Sequence, residues 1–258
     1  MEVIRQPTPA EAARLAATLI ASGIQRKPTL VLGLATGGTP RLLYDELIRM
    51  HRTEGLDLSH IQTFNLDEYL GLPPNHPASY RRFMQENFFD QTNIAPHRTF
   101  VPDGMTKDIP RHCRAYEEHI KAVGGIDIQV LGIGSNGHIG FNEPTSSLSS
   151  RTRDKVLTEQ TRRDNARFFP SPDDVPHGCL TMGIGTILDS RQCLLLAFGA
   201  HKADAVAAAV EGPVTSMVPA SALQLHADAK VFVDEQAAAK LKLRDYYDYA
   251  FRHSPDLG

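Results

Sequence analysis

Three short segments of this sequence hold side chains whose types and spacing could do chemistry. In the first, an apolar run ends in Gly132-Ile133-Gly134-Ser135-Asn136-Gly137-His138, and Glu143 follows five residues after the imidazole. A histidine and a carboxylate on a glycine-built loop form an acid–base candidate near neutral pH, although a lone loop histidine is more often simply solvated. The second, Phe64-Asn65-Leu66-Asp67-Glu68-Tyr69, places two adjacent carboxylates where another apolar run ends. Such a pair can serve as a base, hold a metal or cap a helix, with Asp67 the candidate N-cap of a short turn. The third is Thr36-Gly37-Gly38-Thr39-Pro40, directly after Leu30-Val31-Leu32-Gly33-Leu34. Glycines there let the backbone turn sharply, and free amides at a helix start attract an anion. A plain strand-to-helix turn fits the same residues.

Context narrows these readings. Gly132, Gly134 and Gly137 have the spacing of a dinucleotide fingerprint, but Gly140 and Pro144 follow too soon for the helix that the fingerprint needs. The Gly37-Gly38 turn lacks the lysine of a nucleotide-hydrolysing loop. Among 11 histidines no HExxH pattern occurs, so the sequence calls for no metal. Arg81-Arg82, Arg151/Arg153/Lys155 and Arg162-Arg163/Arg167 suit phosphate clamps or solvated helix faces.

The elements that position these residues follow from periodicity. Thr8-Pro9-Ala10-Glu11 is a capping box, and Ala12, Leu15, Ala16, Leu19 and Ile20 mark an amphipathic helix expected to end near Gly23. Short apolar runs at 29–34, 61–66, 126–133, 193–198 and 230–233 have the length of buried strands. Helices are expected at 40–52, with Thr39 as N-cap and Pro40 at the first position, and at 81–89, 108–122, 202–211 and 235–246. Alternating strands and helices imply an α/β fold: an open, mostly parallel, Rossmann-like sheet with helices on both faces. Residues 144–182 are rich in Ser, Thr, Arg and Pro with little apolar period, as lid or binding segments often are. No linker divides the chain, so 1–258 reads as one domain.

The 258 residues are 41% hydrophobic and 22% charged, enough to bury a sizeable core. A net charge of −3 provides no global basic field for nucleic acid or an anionic membrane. The longest apolar stretch, 193–200, is too short to span a bilayer, and no secretory signal pattern opens the chain. Three scattered cysteines without a CxxC pair suit reduced thiols, and a cytoplasmic location is expected.

Taken together, the Thr36–Pro40, Phe64–Tyr69 and Gly137–Pro144 segments resemble the glucosamine-6-phosphate deaminase (glucosamine/galactosamine-6-phosphate isomerase) family. The resemblance continues in order through Ser146-Ser147-Leu148, Ser150-Arg151-Thr152-Arg153, Arg167-Phe168-Phe169, Thr181-Met182-Gly183-Ile184-Gly185 and Leu223-Gln224-Leu225-His226. It implies an enzyme of amino-sugar catabolism that converts glucosamine 6-phosphate and water to fructose 6-phosphate and ammonia without metal or organic cofactor. By resemblance, Asp67 moves a proton between C2 and C1, His138 opens the sugar ring, and Glu143 and Asn136 orient His138. Asn136 stands where the family often has Asp, so it orients the ring without a negative charge of its own. The resemblance also assigns the phosphate to Thr36, Gly37, Gly38, Thr39, Arg167 and Lys202, and a mobile lid to 144–182. Ser146, Ser147, Arg153 and Lys155 match an activator site that lies between subunits in oligomeric members.

Two other readings compete. A 6-phosphogluconolactonase-like hydrolase shares the glycine turn, but usually carries Asp-Glu-Arg in place of Asp67-Glu68-Tyr69 and lacks the Phe141-Asn142-Glu143-Pro144 stretch. A non-enzymatic sugar-phosphate sensor would add an interaction segment, for which this sequence has no spare length.

Overall fold

The computed structural model describes residues 1–254. Its strands are β1 (Glu2–Gln6), β2 (Val31–Leu34), β3 (Gln62–Asn65), β4 (Asp67–Tyr69), β5 (Thr99–Phe100), β6 (Ile128–Gly132), β7 (Arg153–Val156), β8 (Gly178–Thr181), β9 (Gln192–Ala197) and β10 (Ala229–Asp234). Its helices are α1 (Pro9–Arg26), α2 (Gly38–Glu54), α3 (Tyr80–Asn87), α4 (Ile109–Ala122), α5 (Glu159–Asn165), α6 (Ile184–Leu188), α7 (Ala203–Val210) and α8 (Arg244–Arg252).

Seven strands form one open sheet in the order β1-β10-β9-β6-β2-β3-β5, and every pairing in it is parallel. Successive side chains leave a strand on opposite faces, so each strand feeds two cores. Leu32, Leu34, Ile128, Val130, Leu194 and Leu196 pack under α1 and α2 with Ile20, Tyr44 and Leu47. Val31, Leu131, Cys193, Leu195 and Val231 pack on the other face with Tyr116 and Ile120 of α4 and Val206 of α7. Burial on both faces explains why the strands read as continuous apolar runs.

The chain leaves β2 toward β3 and β5, then returns to the other side of β2 as β6 and continues to β9 and β10. The sheet order therefore reverses between β2 and β6. Connections diverge at such a point, opening a crevice beyond the carboxyl ends of the strands. Both glycine turns begin there.

Several expectations change. Helix α1 runs through Gly23 to Arg26, because Gly23 is a close-packing position: a Cβ there would meet Leu30 and Ile128 at 3.1 and 3.2 Å. Residues 144–182 are not one long loop. They contribute β7 and β8, which join β4 in a small antiparallel sheet, leaving α5 and short 3-10 turns between them. Polar Arg153-Asp154-Lys155 hid β7, an edge strand with alternating exposure. The helix expected at 235–246 forms instead at Arg244–Arg252. Asp234 takes the Ala237 amide, and Glu211 takes the amides of Lys242 and Leu243, so tertiary carboxylates claim backbone donors from the expected helix.

At the opposite edge from the crevice, the buried Asp127 carboxylate joins the starts of β2 and β6. It accepts the Val31 amide at 2.8 Å and pairs with Lys27 and Arg191. Replacing Asp127 by alanine leaves a buried amide unpaired, at a cost of about 2 kcal/mol. Thermal unfolding of Asp127→Ala is expected about 4–8 °C below wild type. Its turnover is expected to stay near wild type, because the candidate site residues lie at the other end of the strands.

Candidate active site

Every strand-end segment singled out in the sequence reaches the crevice. At the end of β2, Gly37 is the N-cap of α2 with φ of 108°, a conformation that favours glycine. The helix thus begins one residue before Thr39, which is not its cap as expected, and no side chain caps it. Its first turn carries no acidic residue. The leading amides are left for an anion, and the helix dipole favours one. Gly38 and Thr39 share a cavity of about 510 Å³ with Phe198 and Gly199, which lead from β9 to Lys202. Two tyrosines hold the strand ends from opposite faces: Tyr44 donates to the Ala35 carbonyl at 2.5 Å, and Tyr116 to that of Asn65 at 2.8 Å.

The two adjacent acids separate along β4. The Glu68 carboxylate accepts amides of Tyr69, Tyr80 and Arg81 at 2.9 Å and so caps the start of α3. Asp67, read as the candidate cap, is not the one used. Its buried carboxylate makes no hydrogen bond among the described residues. Burial pushes the Asp67 carboxyl well above its ordinary value, and the neighbouring charge of Glu68 pushes it further. Burial keeps the phenols of Tyr44, Tyr69, Tyr80 and Tyr116 protonated far above their usual range, and the charge of Asp67 adds to it in all four, for Tyr80 behind that of Tyr69. Gly140 faces the acid from the loop after β6. Its φ is 56°, and a Cβ there would lie 3.0 Å from Thr181 Oγ1 and 3.4 Å from Asp67 Oδ2.

The same loop carries the imidazole. Gly134 leaves room for the His138 ring to fold back over it; any Cβ would collide with that ring. His138 Nδ1 lies 2.7 Å from Asn136 Oδ1, and Asn136 Nδ2 donates to Glu143 Oε2 at 2.8 Å. The amide orientation is set by the carboxylate, and it makes Nδ1 the donor in the neutral ring. Nε2 is then the ring nitrogen left with a free lone pair. Glu143 itself stands 3.6 Å from Nδ1, so Asn136 is the nearer orienting group. Burial alone would raise the Glu143 carboxyl. The nearby His138 ring, the Thr161 hydroxyl and the Asn136 amide, with the charge His138 carries when protonated, outweigh it and hold the group at about 2.

Arg167 follows α5 in a 3-10 turn and lies over the Phe168 ring at 4.7 Å. Lys202 is half-buried. Burial lowers its ammonium, the Asp164 carboxylate raises it, and the charge of Arg167 lowers it again. The fold therefore brings both predicted cations and one acid within electrostatic reach of one another. The remaining predicted group is dispersed. Arg153 and Lys155 share one face of β7, and Arg153 lines a separate cavity of about 1000 Å³ between α4 and β7. Ser146 is buried with its hydroxyl unpartnered among the described residues, and Ser147 is exposed beside Ser149. Among the described residues, no group of His, Cys, Asp and Glu is arranged to hold a metal ion, and no helix is long and apolar enough to cross a membrane.

Sequence reasoning missed the aromatic wall and its polar anchors. Tyr69, Tyr80, Phe141 and Phe169 pack with ring centroids 4.9–5.7 Å apart, and Asn165 of α5 donates to the Tyr69 hydroxyl at 2.9 Å. It also missed Thr158, the N-cap of α5, which the Thr158-Glu159 and Thr161 spacing signals.

A family model described as glucosamine-6-phosphate isomerases/6-phosphogluconolactonase matches residues 5–233. The chain is 55% identical to a glucosamine-6-phosphate deaminase of Arthrobacter sp. (strain FB24) over 255 residues, covering 99% of this chain and 98% of the relative. It is also 55% identical to a glucosamine-6-phosphate deaminase of Hahella chejuensis (strain KCTC 2396), covering 96% of this chain and 94% of the relative. A solved structure described as a monomeric glucosamine-6-phosphate deaminase superposes with a TM-score of 0.91 at 50% identity, covering 93% of this chain and all of the other. A 6-phosphogluconolactonase from Trypanosoma brucei superposes with a TM-score of 0.72 at 22% identity, covering 93% and 98%, and shares the fold.

The raised Asp67 carboxyl has a consequence for stability. Between the ordinary value of 3.8 and its higher folded value, the native state holds a proton that the unfolded chain has shed. Stability from this group is therefore present at low pH and lost as pH rises through that window. Asp67→Asn removes the buried charge. Its Tm is expected to exceed wild type at pH 8 by about 3 °C or more, the shift about 1 kcal/mol produces in a chain of this size, and the gap should close toward pH 4. Calorimetry across pH checks this.

Proposed function

This chain belongs to the glucosamine-6-phosphate isomerase/6-phosphogluconolactonase family, and from that premise we infer that it is an enzyme, a glucosamine-6-phosphate deaminase of amino-sugar catabolism. It converts glucosamine 6-phosphate and water to fructose 6-phosphate and ammonia. One observation carries the choice within the family: a buried, unpartnered Asp67 faces the loop that holds an oriented His138. An isomerisation coupled to deamination needs a base for a carbon-bound proton as well as an acid–base group for the ring oxygen. A lactone hydrolysis has no use for a carbon-proton shuttle.

In this reading the phosphate sits against the Thr36-Gly37-Gly38-Thr39 turn and between Arg167 and Lys202. It does not react, and its binding energy positions the sugar carbons. His138 Nε2 exchanges the proton that opens the ring, with Nδ1 fixed by Asn136 and Glu143. Asp67 then takes the C2 proton and returns it at C1. The substrate's cationic nitrogen favours the ionised carboxylate against burial; the C1 carbonyl freed by ring opening accepts the electron pair released from C2, the ammonium proton passes to O1 to give an enolamine, and the nitrogen lone pair forms the C2 iminium as C1 is protonated. Water adds to the resulting iminium at C2, and ammonia leaves.

The dispersed residues Ser146, Ser147, Arg153 and Lys155 are proposed to bind an activator, N-acetylglucosamine 6-phosphate, with the shared face of Arg153 and Lys155 in support. Initial rates are then expected to be sigmoidal and to become hyperbolic when the activator is added; hyperbolic rates throughout would remove this role.

Ammonia release from glucosamine 6-phosphate tests the main reading. Asp67→Asn is expected to lose about 10²–10⁴-fold in kcat while still binding substrate, as removal of a positioned base does. Wild-type protein that releases no ammonia would overturn the assignment.

A further inference from the structure

Glu143 divides its two oxygens between different parts of the molecule. Oε2 faces the imidazole relay, accepting from Asn136 Nδ2 at 2.8 Å and lying 3.6 Å from His138 Nδ1. Oε1 turns to the start of α5, 3.3 Å from the Thr158 amide and 3.2 Å from the Thr158 hydroxyl. Thr158 is also the N-cap of that helix, accepting the Thr161 amide. Helix α5 then touches the loop after β6 and the end of β4 near its other end. Asp164 accepts from Ser135, beside Asn136, at 3.0 Å, and Asn165 donates to Tyr69, two residues past Asp67. Arg167 follows directly. One short helix thus links a proposed phosphate cation to the group that orients His138.

We propose that Thr158 is a positioning residue for ring opening: through Glu143 it makes the alignment of His138 depend on the docking of the helix that leads to Arg167. This rests on the deaminase reading above and adds to it a route between two of its sites. When α5 is seated, Thr158 supplies an amide and a hydroxyl to Glu143 Oε1, which fixes the carboxylate plane and hence Asn136 and the imidazole. With the helix displaced, Oε1 loses both donors and the relay loses its anchor. Phosphate engaged by Arg167 and Lys202 favours the seated helix, so acid–base function at His138 is completed only around a phosphorylated sugar.

The test uses the full chain and three substitutions. Thr158→Val removes the hydroxyl. Thr158→Asp keeps a good helix cap and the backbone amide but offers Glu143 no side-chain donor and a like charge. Thr158→Ser keeps both functions. Thr158→Val and Thr158→Asp are expected to lower kcat for ammonia release about tenfold or more with KM within twofold, while Thr158→Ser stays within twofold of wild type. Deuterium incorporation from heavy water into fructose 6-phosphate with ammonium present, entered through the open-chain form that exists in solution, needs Asp67 but not ring opening. It is expected to keep its wild-type rate in all three. Wild-type kcat in Thr158→Val overturns the proposal, as does restoration by Thr158→Asp, which would reduce Thr158 to a helix cap. Equal loss of both reactions would point to a merely structural role and overturn it too. If wild type itself releases no ammonia, the deaminase reading fails first and this inference falls with it.

Discussion

The site depends on a carboxylate kept out of water without a partner. Placing Asp67 where no donor reaches it is unfavourable for an ionised group, and folding accepts this only because the surroundings are held by other means. The pleat of β4 is the first of these. It sends Glu68 to the amides of α3, where backbone donors offset part of its burial, and leaves its neighbour facing the crevice. Two acids adjacent in sequence therefore have opposite surroundings, one met by backbone donors and one left without a partner.

The second means is the sheet. Parallel strands buried on both faces place their carboxyl ends along one edge, and the reversal between β2 and β6 opens space there. Asp127 ties those two strands at their starts, while Tyr44 and Tyr116 hold the ends of β2 and β3 from either face. The backbone under Asp67 and under the glycine turn is thus held from both faces of the sheet. Uncapped amides at Gly37–Thr39 and an unpartnered acid are local departures from full hydrogen bonding, and they occur where a ligand can complete them.

The third is the layer formed by β4, β7, β8 and α5. Helix α5 has seven residues and buries little of its own surface, yet its cap Thr158 reaches Glu143 and its side chains reach Ser135 and Tyr69. A short helix held by a few polar contacts is drawn from the low-stability end of a structure.

Much of this was legible in the residues alone. Apolar runs of strand length alternating with capped helical periods imply a parallel α/β sheet, because only two covered faces bury such runs. The glycine turns, Asp67, His138 and Glu143 were identifiable because their chemistry is local to short segments, and their order along the chain carried the resemblance to a deaminase family. What tertiary structure decided was partnership. Whether Asp67 or Glu68 caps a helix, whether Thr39 or Gly37 starts α2, and where the 235–246 segment becomes helical each turned on donors and acceptors distant in the chain. Edge strand β7 and the joint between Thr158 and Glu143 were invisible for the same reason. Local propensity reports what a segment prefers by itself, and a buried hydrogen-bonding group must take whatever partner the packed fold brings to it.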